Sequence, residues 1–390
     1  MVSEAQPKML IDWLFCTRIL VFWDKFMEFA TWNKCHMSEL HTLTLLDIQN
    51  RIIGPNHPSF IIAEIAQTHD GSLGLAHSYI DAAADLGADA VKFQTHIADA
   101  ESTLDEPFRI KFSSQDATRY DYWKRMEFTS EQWQGLADHC SKKGLFFLSS
   151  PFSIQAVELL EKIGVPAWKI GSGEAVSGDI LDAVLGTGKP VLASTGMSTF
   201  LEIDALVGSF RKKETSFALF QCTSKYPVDL SEIGLNLIQE MKKRYACPVG
   251  LSDHSGSIYP ALAAMAQGAD IIEAHIVFDK RMFGPDTPAS LTVDEFKLLT
   301  QARDAFHKMN SNPVNKDKMA DCMQEMRGMF GKSLAPIKDL SAGTMLTHDL
   351  LTAKKPAAGI PADQKDTIVG KKLKNDVSKK RLLRWEDIYE

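Results

Sequence analysis

Two lysines, two histidines, five serines and a glutamate recur in one kind of place along this chain. Each falls at or just after the end of a short apolar run. Lys92 and Lys169 keep company with Ser150, Ser172, Ser194, Ser224 and Ser252, while Glu64 ends the first run and Gln94 follows Lys92. Two ammonium groups converging with five hydroxyls make a cradle for a multiply charged anion that carries phosphate and carboxylate together. A partly buried ammonium without a counter-charge is costly. One opposite charge about 4 Å away offsets about 4 kcal/mol at an effective dielectric of roughly 20. The structural alternative is that each lysine pairs with Glu64 or Glu174 as an internal bridge. The convergence of both lysines with five serines favours the anion.

His254 closes Ser252-Asp253-His254, and His275 closes Glu273-Ala274-His275. Neighbouring strands lie about 4.8 Å apart, so two imidazoles at adjacent strand ends can share a divalent cation. Two ligands leave positions open for water or substrate, as a Lewis-acid catalyst requires. Borderline ions such as Mn²⁺ accept imidazole with oxygen ligands. Each histidine can equally be a hydrogen-bonded core residue. Asp286, in Gly284-Pro285-Asp286, suits a polyol, a metal-bound water or a simple turn. Tyr226, in Lys225-Tyr226-Pro227, can pack on a sugar or cap the fold.

These residues need elements to position them. Eight apolar runs, at 60–66, 90–94, 145–151, 167–174, 190–195, 217–224, 248–255 and 271–277, read as buried parallel strands. Helical spacing at 75–86, 130–143, 154–163, 180–185, 200–210, 233–244, 259–266 and 293–309 alternates with them. That pattern predicts an α/β fold, a (β/α)₈ TIM barrel with its active site at the C-terminal ends of the strands. The 96–129 stretch between the second and third strands is long and aromatic, either a lid or a surface excursion. Residues 1–58 read as an N-terminal extension and lead-in, 59–310 as the barrel, 311–331 as a polar linker, and 332–390 as a small, mostly β domain. Such a domain is marginal as a lone core and should lean on the barrel or on a second subunit.

The first 36 residues hold three of the seven tryptophans but no apolar stretch near the roughly 20 residues that span a bilayer. They read as an incidental extension, with Met37 as the functional start and deletion of 1–36 leaving folding and activity intact. A net charge of −7 argues against a nucleic-acid binder. Six cysteines without a C-x-x-C pair read as the reduced thiols of a cytoplasmic protein.

The residues also resemble a known family. Val91-Lys92-Phe93-Gln94-Thr95, Ser150-Pro151-Phe152, Lys169-Ile170-Gly171-Ser172-Gly173-Glu174, Ser194-Thr195-Gly196-Met197, Gly250-Leu251-Ser252-Asp253-His254 and Glu273-x-His275 are similar to the sialic-acid synthases. That family includes N-acetylneuraminate, legionaminate and pseudaminate synthases. The tail, with Ala342-Gly343, Asp349-Leu350, Lys355-Pro356 and Gly370-Lys371, is similar to their antifreeze-like (SAF) domain. The resemblance covers about residues 58 to 388.

It implies condensation of phosphoenolpyruvate with N-acetylmannosamine or a related N-acyl aldose, releasing inorganic phosphate. A 2,4-diacetamido-trideoxyhexose is the alternative acceptor. By position, Lys92, Lys169, Ser150, Ser172, Ser194, Ser224 and Ser252 would hold phosphoenolpyruvate. His254 and His275 would bind Mn²⁺, or Mg²⁺ or Co²⁺, and Glu64 would serve in acid–base work. Gln94, Tyr226 and Asp286 would hold the sugar. Family members are described as dimers in which the tail reaches over the partner's barrel, which implies a domain-swapped homodimer here. Lys355 stands where an arginine usually reaches that sugar site; it keeps the charge and loses the planar fork. Other chemistry open to the same residues is a Schiff-base aldolase through Lys169 or a non-catalytic carbohydrate-binding protein.

Overall fold

A computed structural model describes residues 44–389. The chain divides between Ser311 and Asn312 into two units. Segment 1–36, expected to be dispensable, lies outside the described residues.

The first unit opens with a hairpin, β1 (Leu46–Ile48) and β2 (Arg51–Ile53). Eight parallel strands follow: β3 (Phe60–Ala66), β4 (Ala90–Thr95), β5 (Phe146–Pro151), β6 (Trp168–Ile170), β7 (Val191–Ser194), β8 (Phe217–Cys222), β9 (Val249–Asp253) and β10 (Ile271–Val277). Their ladder runs β5-β4-β3-β10-β9-β8-β7-β6, so first and last barrel strands pair and the sheet is nearly closed. β5 and β6 are adjacent without ladder bonds. The expected barrel is present, and every expected strand is found: 60–66 and 271–277 as expected, 90–94 longer by one residue, and the other five trimmed at their ends by up to four.

Each strand alternates its faces, as a period of two requires. Ile61, Ala63 and Ile65 of β3 pack outward, in the core shared with the helices. Phe60 and Ile62 point inward and meet Ala90, Leu148, Leu192, Phe220 and Ile271 in a second apolar core that fills the barrel floor. The next inward position on β3 is Glu64. The same ascent from apolar to polar occurs on β4 (Ala90, then Lys92), β6 (Lys169 above Ala167) and β10 (Ile271, then Glu273 and His275). The interior is thus greasy below and polar above.

The hairpin corrects the reading of 37–58 as a simple lead-in. Leu46, Ile48 and Ile53 are fully buried in the floor core. Each such side chain contributes about 1.5–3 kcal/mol on burial, which is reason enough for the segment to be folded. Helices start where Ser or Thr side chains cap them: Ser72, Thr129, Ser153, Thr199 and Thr292 each accept a backbone N–H from the first turn. The 96–129 segment contains two helices, α2 (Ala98–Glu101) and α3 (Arg119–Met126), following α1 (Leu73–Asp85). Tyr122, Trp123 and Met126 of α3 are buried with Ala98 in an aromatic cluster of their own. The segment is therefore folded.

In the second unit, the stretch 311–331, expected to be a linker, forms two short helices, Lys316–Cys322 and Gln324–Phe330. Strands Ser333–Pro336 and Leu351–Lys354 pair antiparallel over a core that includes Leu334, Leu346, Ile360, Leu373 and Leu383. The expected β-like piece at 368–371 is instead preceded by a short helix, Lys365–Ile368, that buries Ile368. Lys355 belongs to this unit and sets its ammonium 4.9 Å from the Phe330 ring centroid. Among the described residues no helix is long and apolar enough to cross a membrane, and the four described cysteines are unpaired.

Candidate active site

Register decides which polar residues meet. Across β10 and β3, His275 stands opposite Glu64; across β3 and β4, Glu64 stands opposite Lys92; across β10 and β9, Glu273 stands opposite Ser252. All thirteen barrel residues named from the sequence line one cavity of about 680 Å³ at the C-terminal ends of the strands. Lys355, in the other unit, is described only there.

The cavity floor is a charge lattice. Lys92 Nζ lies 2.7 Å from Glu64 Oε2 and 3.9 Å from Glu273 Oε2. Lys169 Nζ lies 3.0 Å from Glu273 Oε1 and donates to Ser194 Oγ at 2.9 Å. Ser252 Oγ donates to the same Glu273 oxygen at 2.9 Å, and Lys92 reaches Ser150 Oγ at 3.5 Å. Internal pairing of the lysines, one of the two alternatives, is thus realised, but Lys169 pairs with Glu273 and not with Glu174. The lysines are held in place by this pairing and still face the cavity. The two carboxylates differ. Burial raises the Glu64 pKa, against the pull of Lys92. Burial acts on Glu273 in the same sense, but Lys169 and Lys92 overcome it and hold that group well below the carboxylate range. Carboxylates pushed in opposite directions suit different roles, with Glu64 the candidate acid–base group.

At the ends of β6, β7 and β8 the cavity is tight. Ser172 Oγ accepts the Gly196 N–H at 3.0 Å. A Cβ on Gly196 would sit 2.5 Å from Ser224 Oγ and 2.8 Å from Cys222 Sγ, so only glycine lets the three side chains crowd together. Gln94 donates to Glu64 Oε1 at 3.2 Å. Its own oxygen lies 3.2 Å from Gln67 Nε2 and from His96 Nε2. His96 is stacked between Trp123 and Phe152, at centroid distances of 3.8 and 4.3 Å, and pairs with Glu101 at 2.5 Å. The aromatic segment thereby connects to the floor through Gln94.

The two histidines are 5.3 Å apart between ring centroids. His254 Nε2 contacts the Tyr226 hydroxyl at 3.0 Å, and its Nδ1 faces the Thr223 carbonyl at 3.3 Å. Burial pushes His254 down to about 4 and His275 well below the usual imidazole range, His254 adding to the effect on His275. Both rings are therefore neutral, the form that ligates a metal. His275 Nδ1 is buried and lacks a partner. A neutral pair with an unspent nitrogen fits a divalent ion. Among the described residues no group of three or more His, Cys, Asp or Glu side chains forms a cage, so remaining coordination positions would fall to water and substrate.

Asp286 is buried, which raises its pKa against the nearby Arg109. Sequence reasoning did not assign roles to Glu273, Cys222, His96 or Arg109, although all line the cavity. Glu273 carried a usable signal: it is two residues before His275 on a strand and shares its face. Arg109 carried none, because a segment without periodicity does not say where its side chains point.

Fold and site together define a TIM-barrel enzyme with two buried lysines beside a histidine pair. The chain belongs to the NeuB family, which it matches over residues 79–315, and it matches the SAF domain over 331–388. It is an enzyme of the sialic-acid-synthase type. It is 33% identical to the N,N'-diacetyllegionaminic acid synthase of Campylobacter jejuni, over 84% of this chain and 99% of that one. It is 32% identical to human N-acetylneuraminate-9-phosphate synthase, over 83% of this chain and 90% of that one. The crystal structure of the N-acetylneuraminic acid synthetase of Leptospira borgpetersenii serovar Hardjo-bovis, in complex with citrate, matches with a TM-score of 0.65 at 30% identity, covering 74% of this chain and 98% of that one.

Proposed function

We propose that this enzyme condenses phosphoenolpyruvate with an N-acyl aldose, giving a nonulosonic acid and inorganic phosphate. The observation that carries the reading is the floor lattice: Lys92 and Lys169, both buried, converge with Ser150, Ser194 and Ser252 on one cavity. Its relatives include synthases of N-acetylneuraminate 9-phosphate, N,N'-diacetyllegionaminic acid and pseudaminic acid.

The two lysines and their serines hold the phosphate and carboxylate of phosphoenolpyruvate with its enol carbon facing the histidines. That carbon attacks the aldehyde carbon of the sugar, forming the new C–C bond. Negative charge grows on the aldehyde oxygen and positive charge on the enol C2. Bound at His254 and His275, a divalent cation, Mn²⁺ by preference, would supply Lewis-acid polarisation of the aldehyde. Glu64 takes the proton of the water that adds to C2. Cleavage of the C–O bond then releases inorganic phosphate and leaves the 2-keto acid. Tyr226, Gln94 and Asp286 orient the sugar. A Schiff-base route is less well served, since two of the three Nζ hydrogens of Lys169 go to Glu273 and Ser194.

The native assembly that suits this reading is a homodimer whose tails, with Lys355, approach the partner's barrel. The direct test is phosphate release from phosphoenolpyruvate with Mn²⁺ and either N-acetylmannosamine or a 2,4-diacetamido-trideoxyhexose. Release that depends on the sugar supports condensation. Borohydride trapping of pyruvate on Lys169 would overturn it in favour of an aldolase.

A further inference from the structure

Arg109 lies in the 96–129 segment, between α2 and α3. Its guanidinium carbon is 4.3 Å from the Tyr226 ring centroid. Its Nη2 is 3.6 Å from Asp286 Oδ1, an ion pair too long to be a hydrogen bond. Among the described residues Arg109 makes no hydrogen bond, so its N–H fork stands unspent in the cavity wall. Tyr226 in turn contacts His254 through its hydroxyl and stands edge-on to His275, 5.8 Å between centroids. Arg109 is therefore one residue removed from the histidine pair, at the end where the acceptor aldehyde must lie, and away from the lysine floor.

The charges of the cavity limit what that acceptor can carry. Six carboxylates but only four Lys or Arg side chains line it. Each cation already faces a carboxylate: Lys92 on Glu64, Lys169 on Glu273, Arg119 on Glu106 at 3.2 Å, and Arg109 on Asp286. Phosphoenolpyruvate would use the lysines. Within this chain's own cavity lining, a second phosphate on the acceptor would fall to Arg109 and Arg119, with Asp286 and Glu106 beside it. A neutral oxygen meets no such repulsion. It can take an N–H from Arg109 while Asp286 keeps the guanidinium in place and Tyr226 supports its face.

We infer that Arg109 reads the acceptor sugar through a neutral oxygen, and that the acceptor is an unphosphorylated N-acyl aldose. This rests on the condensation reading above and narrows it. It also separates this chain from a synthase whose product carries a phosphate.

The test measures phosphate release from phosphoenolpyruvate in wild type, Arg109→Gln and Arg109→Lys, each checked for an unchanged melting temperature. The acceptors are N-acetylmannosamine, its 6-phosphate, and a 2,4-diacetamido-trideoxyhexose. The expected result is turnover with an uncharged sugar, a kcat/KM for the 6-phosphate lower by about tenfold or more, and in Arg109→Gln a KM for the sugar raised about tenfold to a hundredfold. The KM for phosphoenolpyruvate stays unchanged, and Arg109→Lys falls between the two. Preference for the 6-phosphate overturns the inference and leaves the condensation standing. So does a KM change in Arg109→Gln that falls on phosphoenolpyruvate instead of the sugar. No release with any of the three, while calorimetry still shows phosphoenolpyruvate bound, would sink the condensation and this inference together.

Discussion

Lys169 and Glu273 meet across the barrel interior from β6 and β10, Nζ to Oε1 at 3.0 Å, with side chains only 3% and 5% exposed. Neither strand neighbours the other in the ladder. The pair fixes one corner of the floor lattice before any ligand arrives, and Ser252 and Ser194 hold its two ends. An isolated ammonium here would be desolvated without compensation; with Glu273 in place the site carries its own counter-charge. Glu273 therefore positions Lys169 in the cavity floor.

Breaking that pair should destabilise the fold. In Glu273→Ala, Lys169 stays buried without its partner, and losing one member of a buried pair costs about 3–5 kcal/mol. Urea denaturation measures this directly. A variant as stable as wild type would mean that solvent reaches Lys169 freely.

Removing the charge from the other side tests the cradle. Lys169→Met should weaken phosphoenolpyruvate binding by about 30-fold or more, the loss typical of truncating a desolvated charged contact. Calorimetric titration reads the change, and wild-type affinity in the variant would refute the cradle.

The histidine pair makes a separate prediction. His254→Ala should lower bound Mn²⁺ and turnover in parallel, read by elemental analysis of desalted protein beside the phosphate-release assay. Full activity in chelated, metal-free buffer would remove the metal from the mechanism.

Gly250 bears on the same pair through the backbone. A Cβ there would sit 2.4 Å from the Ile271 carbonyl oxygen, on the adjoining strand. Gly250→Ala must therefore push β9 away from β10, costing about 1–3 kcal/mol as overpacked cores do. It should also lower activity more than stability alone explains, because His254 directly follows β9 and His275 lies on β10. Melting temperature and turnover, measured together, decide.

His69 sets an acid limit on stability. It is fully buried; its Nδ1 accepts the Gly71 N–H at 3.1 Å, so the neutral ring carries its proton on Nε2, which has no partner. Burial, helped by His96 and Arg125, holds its pKa at about 3, below the ordinary 6.5. As pH falls through that window the unfolded chain takes up a proton that the folded chain refuses, so this contribution to stability is whole above 6.5 and declines below it. Between about pH 6 and pH 4 the stability of wild type should fall more steeply than that of His69→Phe, by up to about 1.4 kcal/mol per pH unit. Parallel urea-derived curves for the two proteins would contradict the assignment.

Much of this was readable from the sequence, and the reason is local. A buried parallel strand is an apolar run, and eight runs broken by helical spacing leave few architectures. Alternation along each run then turned Glu64, Lys92, Lys169 and His275 to the inside, and their position at run ends carried them to the catalytic rim. What the sequence could not state is which residues meet once the sheet curls round. Lys169 pairs with Glu273 rather than with Glu174, five residues along, because barrel closure brings β6 and β10 face to face. The hairpin at 46–53 and the helices within 311–331 were missed because short elements take their stability from the surface they pack on, not from their own pattern. Arg109 reached Tyr226 and Asp286 only through the folding of an aperiodic segment. Local pattern determined the strands, the inward faces and the inventory of chemical groups; closure and loop packing, which depend on contacts between residues far apart in the chain, decided their partners.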